Sequence, residues 1–186
     1  MGTERLAAAD KIFDRLDTDG DGVLAADDYR ASADKMLQSY GMGPSSPKGR
    51  ALIEANLAVW QRQAELVDRD HDGRITREEY REWVGSLPPA SASGRPSGSP
   101  EVMAALHAQF NVADRDGDGL MDRREFVAWR GFKLVPEEAA EAAFALVDAD
   151  RDGAISWDDF NGAEQRHGLA ALLYGPGWPS LSDLPG

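Results

Sequence analysis

Apolar residues recur along this chain at helical spacing, and each such run stops at a knot of acids. Ala9, Ile12, Phe13 and Leu16 stand three or four apart before Asp17 opens a polar stretch. The same succession follows Trp60, Ala64 and Val67, then Leu106, Phe110 and Ala113, then Ala140, Ala143, Phe144 and Val147. Side chains three and four apart share one helix face, so a helix is predicted ahead of each acidic knot. An aromatic resumes the pattern beyond each knot: Tyr29, Tyr80, Phe126 and Phe160, with Ala33, Val84 and Trp129 continuing the face. These residues are expected to form the core. The predicted fold is all-α, with short two-stranded ribbons where loops pair.

Two interruptions divide the pattern. Gly41-Met42-Gly43-Pro44-Ser45-Ser46-Pro47 must break the helix leaving the first knot, after which Ala51 to Val67 restarts as a long helix. Residues 85–100 (GSLPPASASGRPSGSP) have the composition of a flexible linker. The expected organisation is therefore an N-terminal pair over 1–84, a linker over 85–100, a C-terminal pair over 101–167 and a tail over 168–186. Pro136 followed by Glu137 and Glu138 reads as the first turn of the helix entering the fourth knot. The tail carries Leu169, Leu172, Leu173, Tyr174 and Trp178, and is expected to fold back on the lobes.

The knots are four copies of Asp-x-Asp-x-Asp-Gly, beginning at Asp17, Asp68, Asp114 and Asp148. Six residues after each glycine stands an acid, Asp28, Glu79, Glu125 or Asp159, which defines twelve-residue loops over 17–28, 68–79, 114–125 and 148–159. Carboxylates this crowded repel one another unless a cation lies among them. Calcium takes six to eight oxygens, and a twelve-residue loop offers them from positions 1, 3 and 5, the position-7 carbonyl and the position-12 carboxylate. The candidate ligands are Asp17, Asp19, Asp21, Val23 and Asp28 in loop 1, and Asp68, Asp70, Asp72, Arg74 and Glu79 in loop 2. Loop 3 offers Asp114, Asp116, Asp118, Leu120 and Glu125; loop 4 offers Asp148, Asp150, Asp152, Ala154 and Asp159. At position 8, Leu24, Ile75, Met121 and Ile155 are all apolar, and in paired loops they would face each other across a ribbon.

These loops resemble EF-hands, matching D-x-[DN]-x-[DN]-G in every copy. Only loops 2 and 3 close with the glutamate of that motif. Asp28 and Asp159 are one methylene shorter, which suits the smaller, six-coordinate magnesium better than the Glu-closed sites do. The expected ions are up to four Ca²⁺, with Mg²⁺ competing mainly at loops 1 and 4. At position 9, Ala25 has nothing to hold a water, unlike Thr76, Asp122 and Ser156.

Charge agrees with metal demand. The formal charge is −13, and twenty of the 33 acids lie in the four loops. Four divalent ions would add eight charges and leave −5. So acidic a chain has no electrostatic reason to bind nucleic acid or anionic lipid. Cysteine is absent, no apolar run reaches membrane length, and the start MGTERLAAADKIF lacks the core of a secretory signal. A cytoplasmic monomer is expected. Nothing in the sequence presents a nucleophile–base pair or a phosphate loop, so no enzyme is expected.

Four loops at long, unequal spacing are similar to the sarcoplasmic calcium-binding family and its bacterial relatives of the calerythrin type. That resemblance implies a compact two-lobed fold that buffers or transports calcium. Only five methionines occur (Met1, Met36, Met42, Met103, Met121), too few for the soft groove of a sensor. The alternatives are a sensor whose lobes clasp a target helix and, more remotely, a carrier of a luciferin-like molecule. His71, His107 and His167 are expected to face solvent. The predicted order of calcium affinity is loops 2 and 3, then loop 4, then loop 1. Calorimetric titration should therefore show Glu125→Ala weakening binding more than Asp28→Ala.

Overall fold

The computed structural model describes residues 3–86, 99–132 and 137–167. Most of the expected linker, Pro136 and the tail over 168–186 lie outside the described residues, and so do the expectations attached to them. In chain order the elements are α1 (Thr3–Leu16), β1 (Val23–Leu24), α2 (Ala26–Ser39), α3 (Pro47–Val67), β2 (Ile75–Thr76) and α4 (Arg77–Ser86). Then follow α5 (Pro100–Ala113), β3 (Leu120–Asp122), α6 (Arg123–Phe132), α7 (Glu137–Val147), β4 (Ala154–Ser156) and α8 (Trp157–His167). Each acidic loop lies between two helices, as the apolar pattern predicts.

Local chemistry fixes where the helices begin. The Ser46 hydroxyl accepts the Gly49 N–H at 3.0 Å and Pro47 occupies the first turn, so α3 starts four residues ahead of the expected Ala51. Gly49 is required there, because a Cβ would fall 2.4 Å from the Gly43 carbonyl oxygen. Ser99 and Pro100 open α5 in the same way. With α4 running through Ser86, helices take up both ends of the segment expected to be linker. At the other end of the helices, Asp17, Asp68, Asp114 and Asp148 each donate a last helical N–H, to Phe13, Ala64, Phe110 and Phe144 respectively. The first acid of every loop is thereby held by the helix before it.

Strand β1 pairs antiparallel with β2, and β3 with β4. Leu24 lies opposite Ile75 and Met121 opposite Ile155, all four fully buried. The position-8 residues thus join loop 1 to loop 2 and loop 3 to loop 4. Every apolar residue named from the pattern is buried or packs on a core. One cluster gathers Phe13, Leu24, Tyr29, Trp60, Ile75, Tyr80 and Val84, with Phe13 edge-on to Tyr80 at 5.7 Å. In the other, Phe126 and Phe160 meet Trp129 edge-on at 5.8 Å.

That second cluster also contains Ala33, Met36 and Leu37 of α2 and Leu52 and Ile53 of α3. The ends of α2 and α3 remote from their own ribbon pack with α5 and its neighbours. Lys48 donates to the Asp114 carbonyl at 2.8 Å, and the Arg115 guanidinium lies over the Tyr40 ring at 5.0 Å. A lysine at the C-terminal end of α5 also complements that helix's dipole.

Helices α1 and α4 are tied by charge. Arg81 grips Asp10 through two hydrogen bonds of 2.8 Å, and Arg77 donates to Asp14 at 2.6 Å while covering the Phe13 ring. The Arg81 hydrogen bond is the chief reason the Asp10 carboxyl titrates below its ordinary value. A depressed carboxyl pKa adds stability above its unfolded value, near 4, and loses it as pH falls through the folded value. Arg81→Leu should carry a small stability cost at neutral pH, since the pair is part exposed and screened. Urea unfolding should show that cost shrinking below about pH 4, and carboxyl NMR should show Asp10 titrating at higher pH in the variant.

Candidate metal centre

Position 1 of each loop anchors the rest. One oxygen of Asp17, Asp68, Asp114 and Asp148 accepts the N–H of the position-6 glycine, at 3.0, 3.0, 3.2 and 3.3 Å in turn. Those glycines, Gly22, Gly73, Gly119 and Gly153, have φ between +81° and +91°, a turn that side-chain-bearing residues resist. Position 4 is left-handed as well. Loops 1 and 3 place Gly20 and Gly117 there, whereas loops 2 and 4 hold His71 at +58° and Arg151 at +62°. His71 is exposed, as expected.

The remaining acids fold onto the backbone ahead of them. Asp19, Asp70, Asp116 and Asp150 each accept the N–H two residues on, at 3.1 to 3.3 Å. Asp21, Asp72, Asp118 and Asp152 do the same for the N–H groups of Val23, Arg74, Leu120 and Ala154, at 2.8 to 3.0 Å. These position-7 residues stand at or beside the start of their strands, where the ribbon fixes them. Carboxylate oxygens converge to within 4.8 Å of one another in four groups: Asp17, Asp19 and Asp28; Asp68, Asp70 and Asp72; Asp114, Asp116 and Asp118; Asp148, Asp150 and Asp152.

Do these groups fit a divalent cation? In loops 1 and 3 the second oxygen of the first acid accepts from Gly20 at 2.8 Å and Gly117 at 2.7 Å. In loops 2 and 4 the corresponding oxygens, Asp68 Oδ1 and Asp148 Oδ1, are buried with no hydrogen-bond partner. A buried, unsatisfied carboxylate oxygen costs one to several kcal/mol, and a cation among three converging acids removes that cost. Every converging donor is a hard oxygen, the chemistry that selects calcium or magnesium over softer metals. The residues fit the ion.

The closing acids serve the loop and the next helix together. Asp28, Glu79, Glu125 and Asp159 accept the position-9 N–H at 2.8, 2.8, 3.1 and 2.9 Å. In loops 1 to 3 they also accept the position-2 N–H, from Thr18, Arg69 and Arg115, which draws the two ends of the loop together. Asp28, although one methylene shorter, is the closing acid that reaches a converging group. Burial raises the Glu79 carboxyl, but hydrogen bonds from Thr76 and the Arg69 backbone outweigh it and hold Glu79 below its ordinary value.

Position 9 has a role that the water-holding argument missed. The side chains of Thr76, Asp122 and Ser156 accept the N–H of the closing acid at 3.3, 2.8 and 3.1 Å, forming capping boxes for α4, α6 and α8. The signal was present as Thr-x-x-Glu, Asp-x-x-Glu and Ser-x-x-Asp. Ala25 has no oxygen to offer, so only Asp28 contributes at the start of α2. Ala25→Ser should therefore raise the stability of the calcium-loaded protein by about 1 kcal/mol, and Ser156→Ala should lower it by a similar amount. Thermal unfolding at fixed free calcium measures both.

Known proteins carry the same arrangement. The EF-hand domain-pair family matches residues 103–163, and the EF-hand family matches residues 9–31 and 65–84. The sarcoplasmic calcium-binding protein beta chain of Penaeus sp. is 35% identical over 69 residues, a stretch that spans 37% of this chain and 36% of that protein. The structure of a Streptomyces coelicolor calcium-binding protein superposes with a TM-score of 0.64 at 31% identity, covering 88% of this chain and 94% of the other. The amphioxus sarcoplasmic calcium-binding protein shares the fold over the full length of both chains, with a TM-score of 0.62 at 14% identity. These relatives are calcium-binding proteins, not enzymes. By its four loops, its paired ribbons and its likeness to the Streptomyces protein, the chain belongs to the EF-hand calcium-binding proteins, and it resembles the sarcoplasmic calcium-binding proteins among them.

Proposed function

We propose that the protein buffers or carries calcium in the cytoplasm as a monomer, taking up to four ions in two lobes over 1–84 and 101–167. In this reading, the position-1, -3 and -5 aspartates bind each ion together with the carbonyls of Val23, Arg74, Leu120 and Ala154. Asp28, Glu79, Glu125 and Asp159 close the loops, and magnesium competes mainly at the Asp-closed loops 1 and 4. Bound calcium relieves the repulsion that opposes helix packing, so binding and folding are coupled.

The burial of the remote ends of α2 and α3 carries the buffer reading. A sensor must present an apolar groove to its target when calcium binds. Here Met36, Leu37 and Leu52 are at most 1% exposed, covered within the chain by the cluster that α5 joins. Among the described residues, Leu66 is the exposed large apolar side chain. Its solitude supports the absence of a docking groove among the described residues.

A regulatory reading has one observation in its favour, the likeness to the Streptomyces coelicolor protein, which is described in terms of prokaryotic calcium-mediated regulation. One calcium titration separates the two. A buffer gains near-ultraviolet circular dichroism as calcium is added, while the fluorescence of a hydrophobic dye stays level or falls. Dye fluorescence that rises with calcium would replace the buffer by the regulator.

A further inference from the structure

We propose that Arg74 is a tethered cation for loop 1, holding the position-5 carboxylate Asp21 and making loop 1 the last site of its pair to fill. The inference rests on loop 1 being a calcium loop. Arg74 belongs to loop 2, yet its Nη2 lies 2.9 Å from Asp21 Oδ2. The antiparallel ribbon joins the two loops, with Val23 opposite Thr76 and Leu24 opposite Ile75, and the long Arg74 side chain reaches Asp21 of the neighbouring loop.

Two further observations point the same way. In loops 2, 3 and 4 the converging oxygens come from positions 1, 3 and 5, but in loop 1 they come from Asp17, Asp19 and Asp28. Asp21 is absent from that group and engaged with Arg74. The other anchoring oxygens of loop 1 are also satisfied from within. Both oxygens of Asp17 accept glycine N–H groups, and both oxygens of Asp28 accept backbone N–H groups. Loop 2, in contrast, keeps the buried, unsatisfied Asp68 Oδ1. The anchoring oxygens of loop 1 are thus hydrogen-bonded from within and Asp21 is paired with Arg74, whereas loop 2 keeps an oxygen that only a cation would satisfy.

The second pair has no equivalent device. Its position-7 residues are Leu120 and Ala154, and that of loop 1 is Val23, so Arg74 is the one cationic side chain among the four position-7 residues. To enter loop 1 with Asp21 as a ligand, calcium must displace the guanidinium, whose own backbone carbonyl stands at the position-7 ligand place of loop 2. The Arg74 and Asp21 side chains are 53% and 43% exposed. The contact is therefore screened and has a modest effect on affinity.

The position-6 glycine amides allow the test on the full chain, because each donates to its own loop's first acid and so reports that loop most directly. Amide NMR during a calcium titration gives four midpoints. In Arg74→Met the Gly22 midpoint should fall about two- to fivefold in free calcium, with Gly119 and Gly153 unmoved, and the gain should shrink as salt is raised. Arg74→Lys keeps a cation on a similar stem and should stay within about twofold of the native midpoint. Arg69→Met, which removes a charge elsewhere in loop 2, should leave Gly22 where it is.

An unchanged or higher Gly22 midpoint in Arg74→Met overturns the proposal. So does an equal shift in Arg69→Met or at Gly119, which would mean general charge, and so does Arg74→Lys behaving like Arg74→Met. If Gly73 responds to calcium and Gly22 responds in neither the native protein nor Arg74→Met, the calcium reading of loop 1 itself has failed.

Discussion

Oxygen crowding is the constraint around which this molecule is arranged. Each loop brings three carboxylates to within a few ångströms, and no sequence tolerates that without compensation. Part of the compensation comes from the backbone, since nearly every loop carboxylate accepts an amide N–H from two to five residues ahead or from the closing turn. That wrapping requires left-handed turns at positions 4 and 6, which explains the glycines. The amide dipoles do not neutralise the charge, and two buried oxygens, on Asp68 and Asp148, remain unsatisfied. A divalent cation completes the arrangement, so the loops are best understood as half-built coordination shells.

The helices inherit their positions from these shells. Each first acid is tied by its N–H to the end of the helix before it, and each closing acid stands in the first turn of the helix after it. Between them the position-8 residue joins the ribbon and enters the core. A change in loop geometry therefore acts on both flanking helices and, through the ribbon, on the partner loop. The Arg74–Asp21 contact is made between two loops that this pairing joins, and it links residues 53 positions apart.

Packing between the halves bears on what the protein can do with bound calcium. Sensors and buffers share the same loops, and they differ in where the apolar surface of the helices flanking them goes. In this chain that surface, on α2 and α3, is covered by the chain itself, with Lys48 and Tyr40 extending the contact to the first two residues of loop 3.

Much of this was legible in the sequence because it is local. Loop length, the carboxylates at positions 1, 3 and 5, the glycine turn and the helix faces repeat within a dozen residues, and short-range periodicity encodes them directly. The pairing of Leu24 with Ile75 and of Met121 with Ile155 was also within reach, since four apolar residues at one loop position need partners. Position 9 was legible as a cap but was read as a water holder, because its spacing serves both roles. Other features depended on distance along the chain. That Arg74 would meet Asp21, that Met36 and Leu52 would join the core of the other half, and that Lys48 would reach Asp114 have no signature in any window of sequence. Those contacts follow from the twist of a two-residue ribbon and from the angle at which α3 meets α5, quantities set by the summed packing of whole helices. Sequence fixed the demand for a cation; only the folded chain decided which charges each loop shares with its neighbours.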